Sequence, residues 1–304
     1  MRRITRSLKA LAVLTAGAFF LSAAPAGNMA LAPQYLAMTG PQAPFKIADN
    51  LYYVGASDVT SYLVVTKAGY ILLDGGLEQT APMILAHIRA LGFDPQKVKY
   101  LLNSHAHFDH AGGLAALKQA TGARFVASAA DAPVLAAGGH GDFALGNRAL
   151  FPPIAADKII ADGESLTLGG VTITAHITAG HTKGCTTWTL PLTVDGKPEE
   201  ALFLCSLTVL PMFRLIGDPN YPAQADDFAK SFATLKTLKC DVFLASHGSF
   251  FDLQGKAARL AAGARPNPFI DPNGCSAFFA KAQAAFDQRL AACKADKTCG
   301  KRED

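Results

Sequence analysis

Charge is scarce in this chain and nearly balanced: 17% of the 304 residues are charged, and the formal excess is only +4. Even that excess is local. Arg2, Arg3, Arg6 and Lys9 supply four positive charges, and residues 1–26 hold no Asp or Glu. The remainder is formally neutral, which offers no basic surface to nucleic acid or another polyanion. A membrane-spanning run is also missing. The apolar stretch Ala10–Leu21 is shorter than the about 20 residues a span requires. Its basic prefix and the small-x-small site Ala24-Pro25-Ala26 have the layout of a secretory signal peptide. We expect residues 1–26 to be removed, with Ala30-Leu31-Ala32 as a second cutting point, and the mature protein to be periplasmic or secreted. No cysteine follows the apolar run to carry a lipid, so no membrane anchor is expected in the mature chain. Internal repeats and low-complexity linkers are absent, and half the residues are hydrophobic, which excludes disorder. Residues 27–304 are expected to form a single domain, acting as a monomer.

The six cysteines all lie beyond the export signal, so disulfides are expected. Cys293 and Cys299 flank a short polar turn. Cys185 and Cys205 lie on two strand-like runs around Val194-Asp195-Gly196-Lys197, and a hairpin centred near residue 195 sets them opposite each other. Cys240 and Cys275 then remain for one another.

The strand-like runs LYYVG, SYLVVT and YILLD come first, followed by a helix over about 80–91 that ends at Gly92. A strand at Lys99–Asn103 leads into a second helix near 111–120, closed by Gly122. Residues 138–157 show no period, the mark of a functional loop. Strands return at 158–161, 165–168 and 171–178. A hairpin, a helix over about 224–238, the strand DVFLAS and a helix over about 276–292 complete the chain. The order predicts an α/β fold of two packed sheets with helices outside.

Histidine is rare too, eight in all, yet three fall in NSHAHFDHAGG, residues 103–113. His105 and His107 are two apart, so on extended backbone both rings face one side. Asp109 and His110 follow where the chain turns into a helix that Gly112 and Gly113 let pack closely. Imidazole nitrogen with carboxylate oxygen suits zinc. Four ligands overfill one open site, so further histidines are expected from loops directly after strands: His181 in AGHTKGC and His247 in ASHGS. His87, His140 and His176 fall in a helix, the long loop and a strand, and are expected to be structural or solvated.

These residues resemble the metallo-β-lactamase superfamily. His105-x-His107-x-Asp109-His110, Gly180-His181-Thr182 and Ser246-His247-Gly248 look like its ligand set. YILLDGG, AGHT followed by TTW, FPPIAAD and LKCDVFLASHG look like class B β-lactamases of the third subclass. The resemblance implies an αβ/βα sandwich and two zinc ions. His105, His107 and His181 would hold the first, and Asp109, His110 and His247 the second. It further implies hydrolysis of penicillins, cephalosporins and carbapenems by a metal-bound hydroxide that Asp109 orients, and hence antibiotic resistance. Relatives with other activities carry a metal-bridging aspartate after the fifth ligand, and other β-lactamases a zinc-binding cysteine. Here Ser206 takes that place, and Cys205, one residue off, points to the opposite face. A lactone or thioester hydrolase of the same fold is the alternative. Ser206 and Thr208 are implied to bind the substrate carboxylate. Asp74, in LLDGG, is expected to orient the site from behind, and the loop 138–157, with Phe143, to form an apolar rim for substrate side groups. Lys183 and the stretch VLPMFRL depart from the family pattern beside the cleft.

Overall fold

The computed structural model describes residues 32–295. The expected signal peptide and Cys299 lie outside them. A short helix α1 (Pro33–Leu36) precedes a seven-stranded sheet in spatial order β1 (Phe45–Ala48), β2 (Leu51–Tyr53), β3 (Tyr62–Thr66), β4 (Gly69–Leu73), β5 (Val98–Leu102), β6 (Arg124–Ser128) and β7 (Lys158–Ile160). The first four strands form an antiparallel meander, and β4 to β7 run parallel. Parallel neighbours need crossovers. Helices α2 (Ala81–Ala90), α3 (Phe108–Ala111), α4 (Leu114–Thr121) and α5 (Ala132–Ala136) lie in those connections. The second sheet comprises β8 (Ser165–Leu168), β9 (Val171–Ile177), β10 (Thr186–Val194), β11 (Lys197–Leu204) and β12 (Val242–Ala245); all pairs are antiparallel except β11 with β12. Helices α6 (Gln224–Leu235), α7 (Leu253–Ala261) and α8 (Gly274–Ala295) complete the chain.

The period of two along the strands of the first sheet explains the layers. Tyr62, Val64, Ile71, Leu73, Leu102 and Val126 point into the core shared with the second sheet. Their neighbours Leu63, Leu72, Leu101 and Phe125 point outward, against Ile84, Ile88, Leu114 and Leu117 of α2 and α4. Each large apolar side chain so buried contributes about 1.5–3 kcal/mol. Trp188, the one tryptophan, is fully buried in the shared core and donates its indole N–H to the carbonyl of Asn103 at 3.2 Å. That bond fixes the second sheet to the strand end where the histidine stretch begins.

The hairpin turn falls where expected, with Asp195 and Gly196 both at positive φ, as two-residue hairpin turns demand. Its register differs by one from the expected centre. Val194 pairs with Lys197 and Trp188 with Phe203, so a continued ladder would set Cys185 against Ser206. The disulfide forms between Cys185 and Cys205 all the same, because β11 ends at Leu204. Cys205 leaves the ladder, its N–H donates to Thr187 Oγ1, and the two Cα atoms lie 5.8 Å apart. Cys240 and Cys275 are joined as well. Replacing Cys185 and Cys205 together by alanine is expected to cost about 3 kcal/mol from loop-closure entropy. Urea denaturation of the variant beside the parent measures it, and an unchanged midpoint would contradict the expectation.

Several helices depart from expectation. α1 has no counterpart among the expected elements, and the helix expected near 111–120 is divided into α3 and α4. α6 stops at Leu235, short of Leu238. α7 was not anticipated: its first turn contains Gly255, and its N-cap Asp252 adopts the left-handed conformation (φ 56°) while accepting the N–H of Gly255. A weak helix former and an unusual cap conceal it in the sequence.

Candidate metal centre

The loops that carry the singled-out residues all leave the C-terminal ends of strands. Asp74 follows β4, His105 to His110 follow β5, His181 follows β9, Ser206 and Thr208 follow β11, and His247 follows β12. His107 is extended at the start of α3, and Asp109 and His110 occupy that helix's first turn. The glycines behind them are required by close packing: a Cβ at Gly113 would stand 2.2 Å from the carbonyl oxygen of Gly75.

The six residues converge in two adjoining groups. The rings of His105, His107 and His181 have centroids 4.8 to 4.9 Å apart. Beside them, His110 Nε2 lies 3.3 Å from Asp109 Oδ2 and 3.2 Å from His247 Nε2, and the latter is 3.6 Å from the same carboxylate oxygen. His105 joins the two groups, its ring 4.3 Å from that of His110.

Three of the five imidazoles make a hydrogen bond through one nitrogen, which leaves the other for the cluster. His105 Nδ1 meets Ser104 Oγ at 3.0 Å, His181 Nδ1 meets the Thr208 carbonyl at 2.7 Å, and His247 Nδ1 meets Asp58 Oδ2 at 3.0 Å. His107 Nε2 and His110 Nδ1 are buried 3.6 Å from Asp142 and Asp74, distances a slight ring shift would close into hydrogen bonds. This one-sided support is what orients histidine ligands in metal sites. Asp74 itself, at positive φ, also accepts from Asn103 Nδ2 and the N–H of Ser104.

The electrostatics suit a cation. Burial, with the neighbouring rings, pushes His105 well below the ordinary imidazole range, and burial with His107 takes His181 down to about 3. Both are therefore neutral, the form that ligates. Burial opposes ionisation of Asp109, but His110, by charge and hydrogen bond, outweighs it and holds the carboxyl well below the usual range. Imidazole nitrogens facing one another at 3.2 Å, with an ionised carboxylate beside them, form a donor set that fits a nitrogen- and oxygen-seeking metal.

A cleft of about 350 Å³ opens onto this cluster. His107, Asp109, His181, His247, Ser206 and Thr208 line it, with Tyr35, Leu145 and Met212 among the apolar walls. Ser206 Oγ accepts the N–H of Thr208, which leaves its own proton free to donate. Leu210, Pro211 and Met212 of the departing stretch VLPMFRL are wall residues. Lys183 instead extends its ammonium over the ring of Tyr221, 5.6 Å from the centroid.

The 138–157 loop expected as an apolar rim does reach the cleft, but not through Phe143. Phe143 is buried against Tyr221 and Phe213, and Leu145 represents its loop in the cleft. Cys205 also lies near His105, but its sulfur is bonded to Cys185 and is no ligand. The three other histidines stay outside, bonded to Val54, Asn147 and Thr189. Sequence reasoning missed Asp58, Asp142 and above all Asp131, which accepts from the N–H groups of Ala106 and Gly184 and from Thr182 Oγ1. Asp131 thus ties the His105–His107 loop to the His181 loop. Isolated loop aspartates carry no local signal that separates them from solvated ones.

Residues 54–193 match the family model of the metallo-β-lactamase superfamily. Native FEZ-1 metallo-β-lactamase from Legionella gormanii is 42% identical over 85% of this chain and 99% of its own, with a TM-score of 0.83. A Cronobacter sakazakii metallo-β-lactamase with an HARLDQ motif is 42% identical over 86% of this chain and 100% of its own, with a TM-score of 0.82. This chain reads HAHFDH, with imidazoles at the third and sixth places. The chain belongs to the metallo-β-lactamase superfamily. Within it, the resemblance to the third subclass holds: BJP-1 of Bradyrhizobium japonicum, a subclass B3 metallo-β-lactamase, is 38% identical over 85% of this chain and 97% of its own, with a TM-score of 0.79.

Proposed function

We propose that the protein is a dinuclear zinc β-lactamase, exported from the cytoplasm, that opens the ring of penicillins, cephalosporins and carbapenems. The observation that carries the reading is the cluster itself: five imidazoles and the Asp109 carboxylate converge beside an open cleft, with His105, His181 and His247 each hydrogen-bonded through the nitrogen that faces away from it. His105, His107 and His181 would hold one zinc, and Asp109, His110 and His247 the other. Zinc bound there supplies a water that ionises near neutral pH and an electrophile for the lactam carbonyl.

The chain's own groups do the rest. The Asp109 carboxylate accepts a hydrogen bond from the attacking water and so orients it. The free hydroxyl proton of Ser206, with Thr208 beside it, donates to the carboxylate that β-lactams bear next to the ring nitrogen. No side chain is acylated, so inhibitors that acylate an active-site serine have no target. Ser206→Ala is expected to raise KM for a penicillin about tenfold with kcat little changed, because that contact forms before and during ring opening. Steady-state kinetics measure it, and a fall in kcat at constant KM would assign Ser206 to the chemistry instead.

The purified mature protein, assayed with a penicillin, a cephalosporin and a carbapenem before and after chelation, tests the reading. Turnover lost on chelation and restored by zinc is expected. Intact β-lactams alongside an opened acyl-homoserine lactone or thioester would replace the reading with the alternative hydrolase.

A further inference from the structure

A second cavity of about 590 Å³ adjoins the cleft, and Thr208 and Pro211 border both spaces. Its far wall is one face of α8, where Phe278, Lys281, Ala282, Ala285 and Arg289 follow helical spacing. Ala282 and Ala285 are too short to fill the gap to the 207–211 loop. An aromatic run leads there from the metal cluster: the Phe250 ring lies 5.2 Å from His247 and 5.0 Å from Phe278. The charge of this groove has one sign, since Lys281 and Arg289 line it and no carboxylate does. Neither cation has an ion-pair partner among the described residues. Arg289 donates to the carbonyl of Pro211 at 3.0 Å, which secures the wall between the two spaces.

From this arrangement we propose that the α8 groove is a specificity subsite for an anionic substituent of the substrate, with Lys281 and Arg289 as the selecting residues. The inference rests on the β-lactamase reading. In cephalosporins the ring carboxylate and the variable substituent sit on adjacent carbons. A carboxylate held by Ser206 and Thr208 therefore delivers that substituent to the mouth of the groove. Phe250, Phe278 and Val209 cover its apolar part, and the two cations receive a negative terminus. The cations reach the substrate through solvent-accessible space, so the effect is modest, salt-sensitive and expressed in KM.

The test uses the zinc-loaded full mature enzyme and three cephalosporins that share one acyl side chain. Their ring substituents are anionic, neutral and cationic. In low salt the parent is expected to favour the anionic over the cationic substrate about fivefold in kcat/KM, through KM, and to lose most of this at high salt. Lys281→Glu should reverse the preference and leave the neutral substrate unchanged. Arg289→Gln keeps a donor for Pro211 and should weaken the preference without reversing it. Hydrolysis of all three without charge discrimination would overturn the subsite and leave the β-lactamase reading standing. Failure to hydrolyse any of them would overturn both. A Lys281→Glu variant equally impaired on the neutral substrate would show a structural role for Lys281 and overturn its selecting one.

Discussion

Asp109→Asn is expected to lower kcat/KM for penicillins by at least about a hundredfold while the protein stays folded. The side chain is buried, and its Oδ2 lies 3.3 Å from His110 Nε2 and 3.6 Å from His247 Nε2. Those rings hold it ionised despite its burial. An amide of the same shape has one acceptor oxygen and no charge, so it coordinates a metal poorly and does not hold the attacking water by a charge-assisted bond. The exchange removes one negative charge from a site of five imidazoles, and zinc bound per chain should fall with activity. Circular dichroism, metal content and kinetics on one preparation separate these effects. Activity within a few-fold of the parent at equal zinc would show that Asp109 is dispensable.

The largest expected loss of stability comes from a residue outside the ligand set. Asp131 is 3% exposed and accepts three hydrogen bonds of 2.8 to 2.9 Å, from Ala106, Thr182 and Gly184. Asp131→Ala strands three buried donors at about 1–3 kcal/mol each, so a cost of about 3–6 kcal/mol is expected after partial relaxation. The two loops it ties together carry His105, His107 and His181. Zinc affinity of the first site should therefore weaken about 10- to 100-fold in whatever fraction folds. Asp131→Asn keeps the shape, satisfies fewer donors and should fall between the two. Urea unfolding and competition with a chelator measure the two effects. A stability within 1 kcal/mol of the parent would mean that water replaces the carboxylate at no cost.

What the sequence disclosed follows from how local each signal is. His105, His107, Asp109 and His110 are legible because strand geometry and one helical turn place them together without reference to the rest of the chain. His181 and His247 are legible because each follows an apolar strand and sits in a turn. The two packed sheets with helices outside follow from the order of strands and helices along the chain. The supporting carboxylates are not legible: Asp58 reaches His247 across 189 residues, and Asp131 reaches Gly184 across 53. Phe143 was misplaced because an unpatterned loop does not show which of its apolar residues turns inward. The Cys185–Cys205 bond was anticipated with a register one residue off. A disulfide just past the end of a ladder tolerates that error, whereas a ladder pair would not.

The claim on which the others depend is that two zinc ions occupy adjoining sites with the assigned ligands. Anomalous diffraction at the zinc edge from crystals of the purified, zinc-loaded protein tests it most directly. The account predicts two peaks. One should lie within about 2.1 Å of a nitrogen of His105, His107 and His181, the other at similar distances from Asp109, His110 and His247. A single peak at saturating zinc, or a peak bonded to the sulfur of Cys205, would contradict it.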